Sequence, residues 1–249
     1  MKYSETNPFG KLLNQRHLAE KFANIQVEEG VFRGLETTRI TSVFVPLHYE
    51  AKYAYPLVVW FHTPGMNESQ LLRVMPMISL RNYTAVAMRG TPRLLSRGSS
   101  ANGYYWDAES YDTCYTATME MIEAVQKRYS IARNRVFLVG SEMGGTMALR
   151  MAFRNPSFFS GVASLDGAIP EDTALLEKLK EVRKLKFLFA VSRHSQTCPV
   201  ERLCPHLQLL HSAGLCVTLR NYPTAGSLQT DMLRDVDRWI MGTIDTALM

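Results

Sequence analysis

Histidine is scarce in this chain: there are six in 249 residues, and none lies beyond His211. Any chemistry that needs an imidazole must draw it from the part of the chain before that point. Cysteine is thin as well. Cys114, Cys198, Cys204 and Cys216 make no CxxC pair and no Cys/His spacing suited to zinc, which excludes a metal knuckle and points to reduced thiols packed as small hydrophobes. No metal and no cofactor is expected. No apolar run approaches the ~18 residues of a membrane span, and the N-terminus MKYSETNPFGKLL lacks the charged-then-apolar order of a secretory leader. The chain is therefore expected to be soluble and cytoplasmic. Long runs of one charge are also missing: the net charge is +5, but Lys and Arg alternate with Asp and Glu in segments such as EDTALLEKLKEVRKLK. That interleaving argues against nucleic acid as a partner.

What is present is an alternation of apolar runs and helix-length segments, the order of a buried, mostly parallel sheet. VFRGLETTRITSVFVPL (31–47) alternates polar and apolar residues around Gly34 and predicts an antiparallel hairpin at a sheet edge. PLVVWFH (56–62), YTAVAMRG (83–90), RVFLVG (135–140), FSGVASLDG (159–167), LKFLFAVS (185–192) and CVTLRNY (216–222) read as buried strands. Between them, Tyr111, Tyr115, Met119, Ile122, Val125 and Tyr129 form one stripe, and Leu233, Val236, Ile240 and Ile244 form another. Pro205 predicts a helix that starts near Cys204 and ends at Gly214. There is no repeat, low-complexity tract or linker. The length is open to one domain or two by size alone, and the unbroken alternation favours one over 1–249, with 1–30 as an N-terminal extension or edge segment.

The most informative segment is RVFLVGSEMGGTMALRMAF (135–153): a strand, then Gly140-Ser141-Glu142-Met143-Gly144-Gly145, then an amphipathic helix. This resembles the nucleophile elbow of the α/β-hydrolase fold, where G-x-S-x-G closes a sharp strand-to-helix turn and presents the nucleophile above the sheet. Gly140 and Gly144 stand two residues either side of Glu142, so Glu142 occupies the elbow. Ser141 cannot replace it by a shift of register, because its own flanks would be Val139 and Met143. YPLVVWFHTPG (55–65), LHSAGLCVTLRNYPTAGS (210–227) and VDRWI (236–240) extend the resemblance, which is closest to the phospholipase/carboxylesterase family. The resemblance implies a mostly parallel twisted sheet of about eight strands, helices on both faces and no cap domain. It also implies a serine hydrolase of carboxylic esters or thioesters, with a serine, acid and histidine in that chain order.

Carried over position by position, the family's serine falls on Glu142, its acid on Ser195 and its histidine on Ser227. Pro64, which has no N–H, stands where the resemblance places an oxyanion donor. The expected protein is thus hydrolase-shaped, without a conventional triad, and binds a small molecule or a protein; its oligomeric state is open. The candidate pocket comprises His62, Thr63, Ser141, Glu142, Met143, Asp166 and His194. The alternative is an active ester hydrolase built on a rearranged set of Glu142, Asp166, His194 and His62, with Glu142 as a carboxylate nucleophile or the group serving as a metal or acid–base set. Competing local readings are that His62 orders its loop through a backbone hydrogen bond and that Asp166 is a turn residue. Cys198 is a weaker nucleophile candidate, since it lacks an elbow. Arg89, Arg93 and Arg97 with Tyr104, Tyr105 and Trp106 form either an anion-binding or aromatic wall or a solvated connection.

Overall fold

The computed structural model describes residues 27–33, 38–93, 103–171, 178–224, 226 and 228–246. Ten strands are present: β1 Val27–Arg33, β2 Thr38–Phe44, β3 Tyr55–Phe61, β4 Thr84–Met88, β5 Thr91–Arg93, β6 Gly103–Tyr105, β7 Ile131–Ser141, β8 Gly161–Leu165, β9 Lys186–Ser192 and β10 Cys216–Tyr222. The helices are α1 Leu71–Ile78, α2 Tyr111–Arg128, α3 Met143–Arg154, α4 Leu179–Val182, α5 Val200–Ser212 and α6 Thr230–Thr246.

Eight of the strands form one sheet in the order β1-β2-β4-β3-β7-β8-β9-β10. The β1–β2 and β2–β4 pairs are antiparallel and the other five are parallel. The parallel centre exists because its strands are apolar on both faces: every residue of β3, β4 and β8 is buried. Such strands are stable only between two layers of helix. One face is covered by α2, α3 and α5 through residues such as Ile122, Met147 and Leu203. The other is covered by α1 and α6, with Leu71, Met75, Leu233, Val236 and Ile240. The predicted edge hairpin forms, with β1 beginning at Val27, so residues 27–30 lie in the edge strand of the sheet. Residues 1–26 lie outside the described residues. No helix among the described residues is long and apolar enough to cross a membrane.

The edge strand β10 and two helices correct the sequence reading: β10, expected to be buried, has no buried residue because it is the last strand of the sheet and pairs only with β9. Helix α5 starts at Val200, four residues before the predicted start, and carries Pro205 inside it. Pro199 sets the first turn, its carbonyl accepting from the N–H groups of Arg202 and Leu203 at 3.0 and 3.1 Å. Pro205 then forfeits only the bond to Glu201, one turn in, while Leu203 and Leu210 anchor the buried side. In α2 the face turned to the sheet is Cys114, Ala117, Thr118, Met121, Ile122 and Val125. Tyr111, Tyr115 and Met119, which the periodicity assigned to the stripe, are only partly buried. Small side chains let the helix lie close on the sheet, and the larger tyrosines flank the contact.

Strands β5 and β6 form a separate two-stranded sheet, with Pro92 opposite Tyr104. It sits against the loop after β3: a Cβ at Gly103 would lie 2.6 Å from Gly65 Cα. Trp106 follows it into the core, where its indole N–H donates to His62 O at 2.9 Å. The sheet therefore continues across the carboxyl ends of the central strands.

Candidate functional site

Strand β7 runs straight into α3 through Glu142, whose backbone lies at φ 52° and ψ −119°. A side chain there is strained, because a positive φ brings its Cβ close to the backbone. The turn is held from three sides. Glu142 N–H donates to Leu165 O at 2.7 Å. A Cβ at Gly140 would meet Gly144 O at 2.3 Å, and one at Gly144 would meet Phe61 O at 2.4 Å. Both collisions are with backbone, so the two glycines are demanded by how closely α3 seats on β3 and β7.

The Glu142 carboxyl is half-buried, and its pKa lies above the usual carboxylate value because burial disfavours the charge and the Asp166 carboxylate adds repulsion. The Thr197 hydroxyl donates to it, a smaller effect in the opposite direction. Asp166 ends β8 at φ 54° and is buried. Its two oxygens accept from the Ser192 N–H and hydroxyl, both at 2.7 Å. Thr224 Oγ1 in turn donates to Ser192 Oγ at 3.1 Å. The loops after β8, β9 and β10 are thus tied together beside the elbow. Glu142, Asp166, Thr197 and Ser192 form one polar cluster at the carboxyl ends of β7, β8 and β9.

The loop after β3 is organised by one amide. Gln70 Oε1 accepts from Trp60 Nε1 at 3.0 Å and from Thr63 N–H at 2.9 Å, and Gln70 Nε2 donates to Thr63 Oγ1 at 2.9 Å. Thr63 N–H is therefore committed, and its neighbour Pro64 has no N–H to offer. Met143 opens α3, where a first-turn N–H has no partner within its own helix.

Residues 34–195 match the Esterase family. The chain belongs to that family. Among solved structures, a carboxylesterase from Mesorhizobium loti superposes with a TM-score of 0.67 at 16% identity, covering 86% of this chain and 99% of that one. A fungal esterase from Rhizomucor miehei gives 0.68 at 12%, with 98% and 94% covered. A ferulic acid esterase from Anaeromyces mucronatus gives 0.66 at 14%, with 88% and 92% covered. These likenesses bear on the fold and confirm the α/β-hydrolase architecture. Among curated proteins no sequence match is found.

In this Esterase-family chain the candidate residues separate into three groups. Glu142 and Asp166 interact beside Met143 at the elbow. Ser141 and His62 take no part in it: Ser141 is the buried last residue of β7, and His62 is fully buried with both ring nitrogens occupied. His62 Nδ1 donates to Thr63 O at 2.9 Å, and Nε2 accepts from Gly90 N–H at 3.0 Å. Burial lowers its pKa to about 4, so the ring is neutral at pH 7. The ring also packs on Trp106 at a centroid distance of 4.7 Å. It orders the loop and is withdrawn from any rearranged catalytic set. Thr63 is half-buried against Gln70, as described.

The third group lies at the rim. His194 is exposed, its backbone N–H donating to Thr224 O at 3.1 Å. Ser195 is buried, its Oγ accepting from Cys198 N–H at 3.1 Å. Gly226 faces it, since a Cβ there would lie 3.3 Å from Ser195 Cα. Ser227 itself lies outside the described residues. Cys198 is buried, and burial pushes its thiol up to about 11, which leaves it protonated and unreactive at neutral pH.

Arg89 is not a free anion binder. Its guanidinium grips the buried Glu68 through two bonds of 2.6 and 2.5 Å and stacks on Tyr104 at 4.8 Å. Arg93 lies in β5, and Arg97 falls outside the described residues. The sequence reading missed Gln70, Thr197 and Ser192. Nothing in their local pattern marks them, because each acts on a residue seven to fifty-five positions away. Among the described residues no group of three or more His, Cys, Asp or Glu is arranged to hold a metal.

Proposed function

We propose that this protein is a non-hydrolytic member of the Esterase family that uses the elbow crevice to bind a small molecule or a protein segment. The observation that carries the reading is Glu142 at φ 52°: the strained turn is retained while its side chain is neither hydroxyl nor thiol. The committed Thr63 N–H and the imide nitrogen of Pro64 support it, since acyl transfer relies on backbone donors aimed at the developing oxyanion. A hydrolase stripped of its triad retains only about 10³–10⁴-fold acceleration over water, most of it from that hole and from binding.

Two assays test this. The purified chain is expected to give no fluorophosphonate adduct and no enzyme-dependent turnover of p-nitrophenyl acetate. Steady turnover that disappears in Glu142→Ala would overturn the reading. It would instead support ester hydrolysis by a carboxylate site, which the raised pKa of Glu142 beside Asp166 favours. A thermal-shift screen of small molecules identifies ligands, because anything that binds only the folded state raises its apparent stability.

A further inference from the structure

A second concave site lies at the opposite end of the sheet. Its volume is about 390 Å³, and its lining includes Arg135, Lys184, Lys186, Ser160, Thr243 and Thr246. That volume falls in the range of small-molecule pockets, roughly 300–1,000 Å³. Arg135 lies in the first half of β7 and Lys186 opens β9, so the cleft is at the amino ends of the strands. Ser141, beside the elbow, stands six positions along the strand from Arg135, or about 20 Å at 3.3 Å per residue. The two sites are distinct.

The charge of this cleft is one-sided. Among the described residues no carboxylate lines it, and Arg135, Lys184 and Lys186 enter no ion pair. The hydroxyls of Ser160, Thr243 and Thr246 donate to the carbonyls of Asn134, Trp239 and Gly242 at 2.7, 2.8 and 2.5 Å. Their protons are therefore spent within the protein, and the cations are left as the strong donors. The carboxyl end of α6 also faces the cleft, and its dipole accounts for about half a negative charge. Three unit positive charges exceed that several-fold. Holding them together without a counter-charge is unfavourable unless an anion completes the site.

We propose that this cleft binds a small phosphate-bearing molecule, with Arg135, Lys184 and Lys186 holding the phosphate oxygens. A guanidinium pairs with phosphate in a bidentate manner and an ammonium acts as a compact charge beside it. A second groove of about 360 Å³ shares Lys186, Thr243 and Thr246 and runs on toward Arg220. It gives room for the part of the molecule that carries the phosphate. The site is independent of the elbow reading and does not rest on it.

The test is calorimetric titration of the full chain with inorganic pyrophosphate at low ionic strength. One pyrophosphate per chain is expected, with affinity at least about tenfold weaker in Lys184→Glu/Lys186→Glu, consistent with the loss of charge-assisted hydrogen bonds. Circular dichroism of that variant without pyrophosphate checks its fold. If it is not folded, Lys184→Ala, which changes an exposed side chain, is expected to weaken binding several-fold. Absence of binding to the parent chain, or equal affinity in a folded variant, would overturn the proposal. So would tighter binding of a short single-stranded oligonucleotide lost in the same variants, which would reassign the cleft to nucleic acid.

Discussion

Glu142 combines two unfavourable conditions, a positive φ and a half-buried carboxyl facing another carboxylate. Its pKa is raised in the folded state, so folding favours its protonated form. The associated stability is present in full below the unfolded value of 4.5 and is lost as pH rises through the folded pKa. Glu142→Gln keeps the shape and removes the charge. It is expected to be more stable than the parent at pH 7, with the difference vanishing below about pH 4.5, as read from urea midpoints across that range. His62 works in the opposite sense. With its pKa lowered from 6.5 to about 4, its contribution is present above 6.5 and lost as pH falls through 4. The linked free energy is about 3 kcal/mol, at 1.36 kcal/mol per pH unit. His62→Asn, although less stable at pH 7, should lose less of its stability between pH 7 and pH 4 in the same unfolding series.

Individual elements differ in how tightly they are specified, and the glycines separate them. Gly144 faces the carbonyl oxygens of Phe61 and His62, 2.4 and 2.6 Å from where a Cβ would sit. Gly144→Ala must push α3 off the sheet and is expected to destabilise by about 3 kcal/mol, the upper end for overpacking. Gly242, on the exposed face of α6, meets nothing within 4 Å. Gly242→Ala should instead stabilise by about 0.5–1 kcal/mol through helix propensity alone, and chemical denaturation of both variants checks the contrast. The same distinction governs what was legible in the sequence. The central strands were readable because burial on both faces leaves a continuous apolar run, and the elbow was readable because its glycines stand at fixed spacing around residue 142. The start of α5 was not, because Pro199 and Pro205 are both compatible with a first turn and only the packing of Leu203 chooses between them. The β5–β6 pair was hidden for another reason: two three-residue strands carry too little pattern to show a period. The polar cluster at the elbow was half legible, since Glu142 and Asp166 directly follow recognisable strands while their partners Thr197 and Ser192 are fixed only by tertiary contact.

Over the whole molecule, the sheet divides two cores that share no side chains. Ile122 on α2 belongs to one and Ile240 on α6 to the other. Ile122→Val and Ile240→Val should each cost about 0.5–1.5 kcal/mol. Their combination should equal the sum within about 0.5 kcal/mol, as expected for distant sites; a larger coupling energy would show that the sheet transmits strain between its faces. Charge also reorganises at this scale. Lys184 and Lys186 follow Glu181 closely in the chain and Arg135 lies far from them in sequence, yet folding brings all three to one cleft that, among the described residues, no acid lines. An even distribution in sequence therefore hid an uneven one in space.

Gln70 has a bearing on any attempt to rebuild an esterase from this scaffold. One amide binds Trp60, the Thr63 amide and the Thr63 hydroxyl together, so the loop after β3 is held in a single shape. On the reading proposed above, serine, acid and histidine placed at positions 142, 195 and 227 would leave the developing oxyanion with the Met143 N–H as its donor, because the Thr63 N–H is committed to Gln70 and Pro64 has none. On that reading, activity also requires changes at Gln70 and Pro64, and a variant that omits them should give no turnover of p-nitrophenyl acetate.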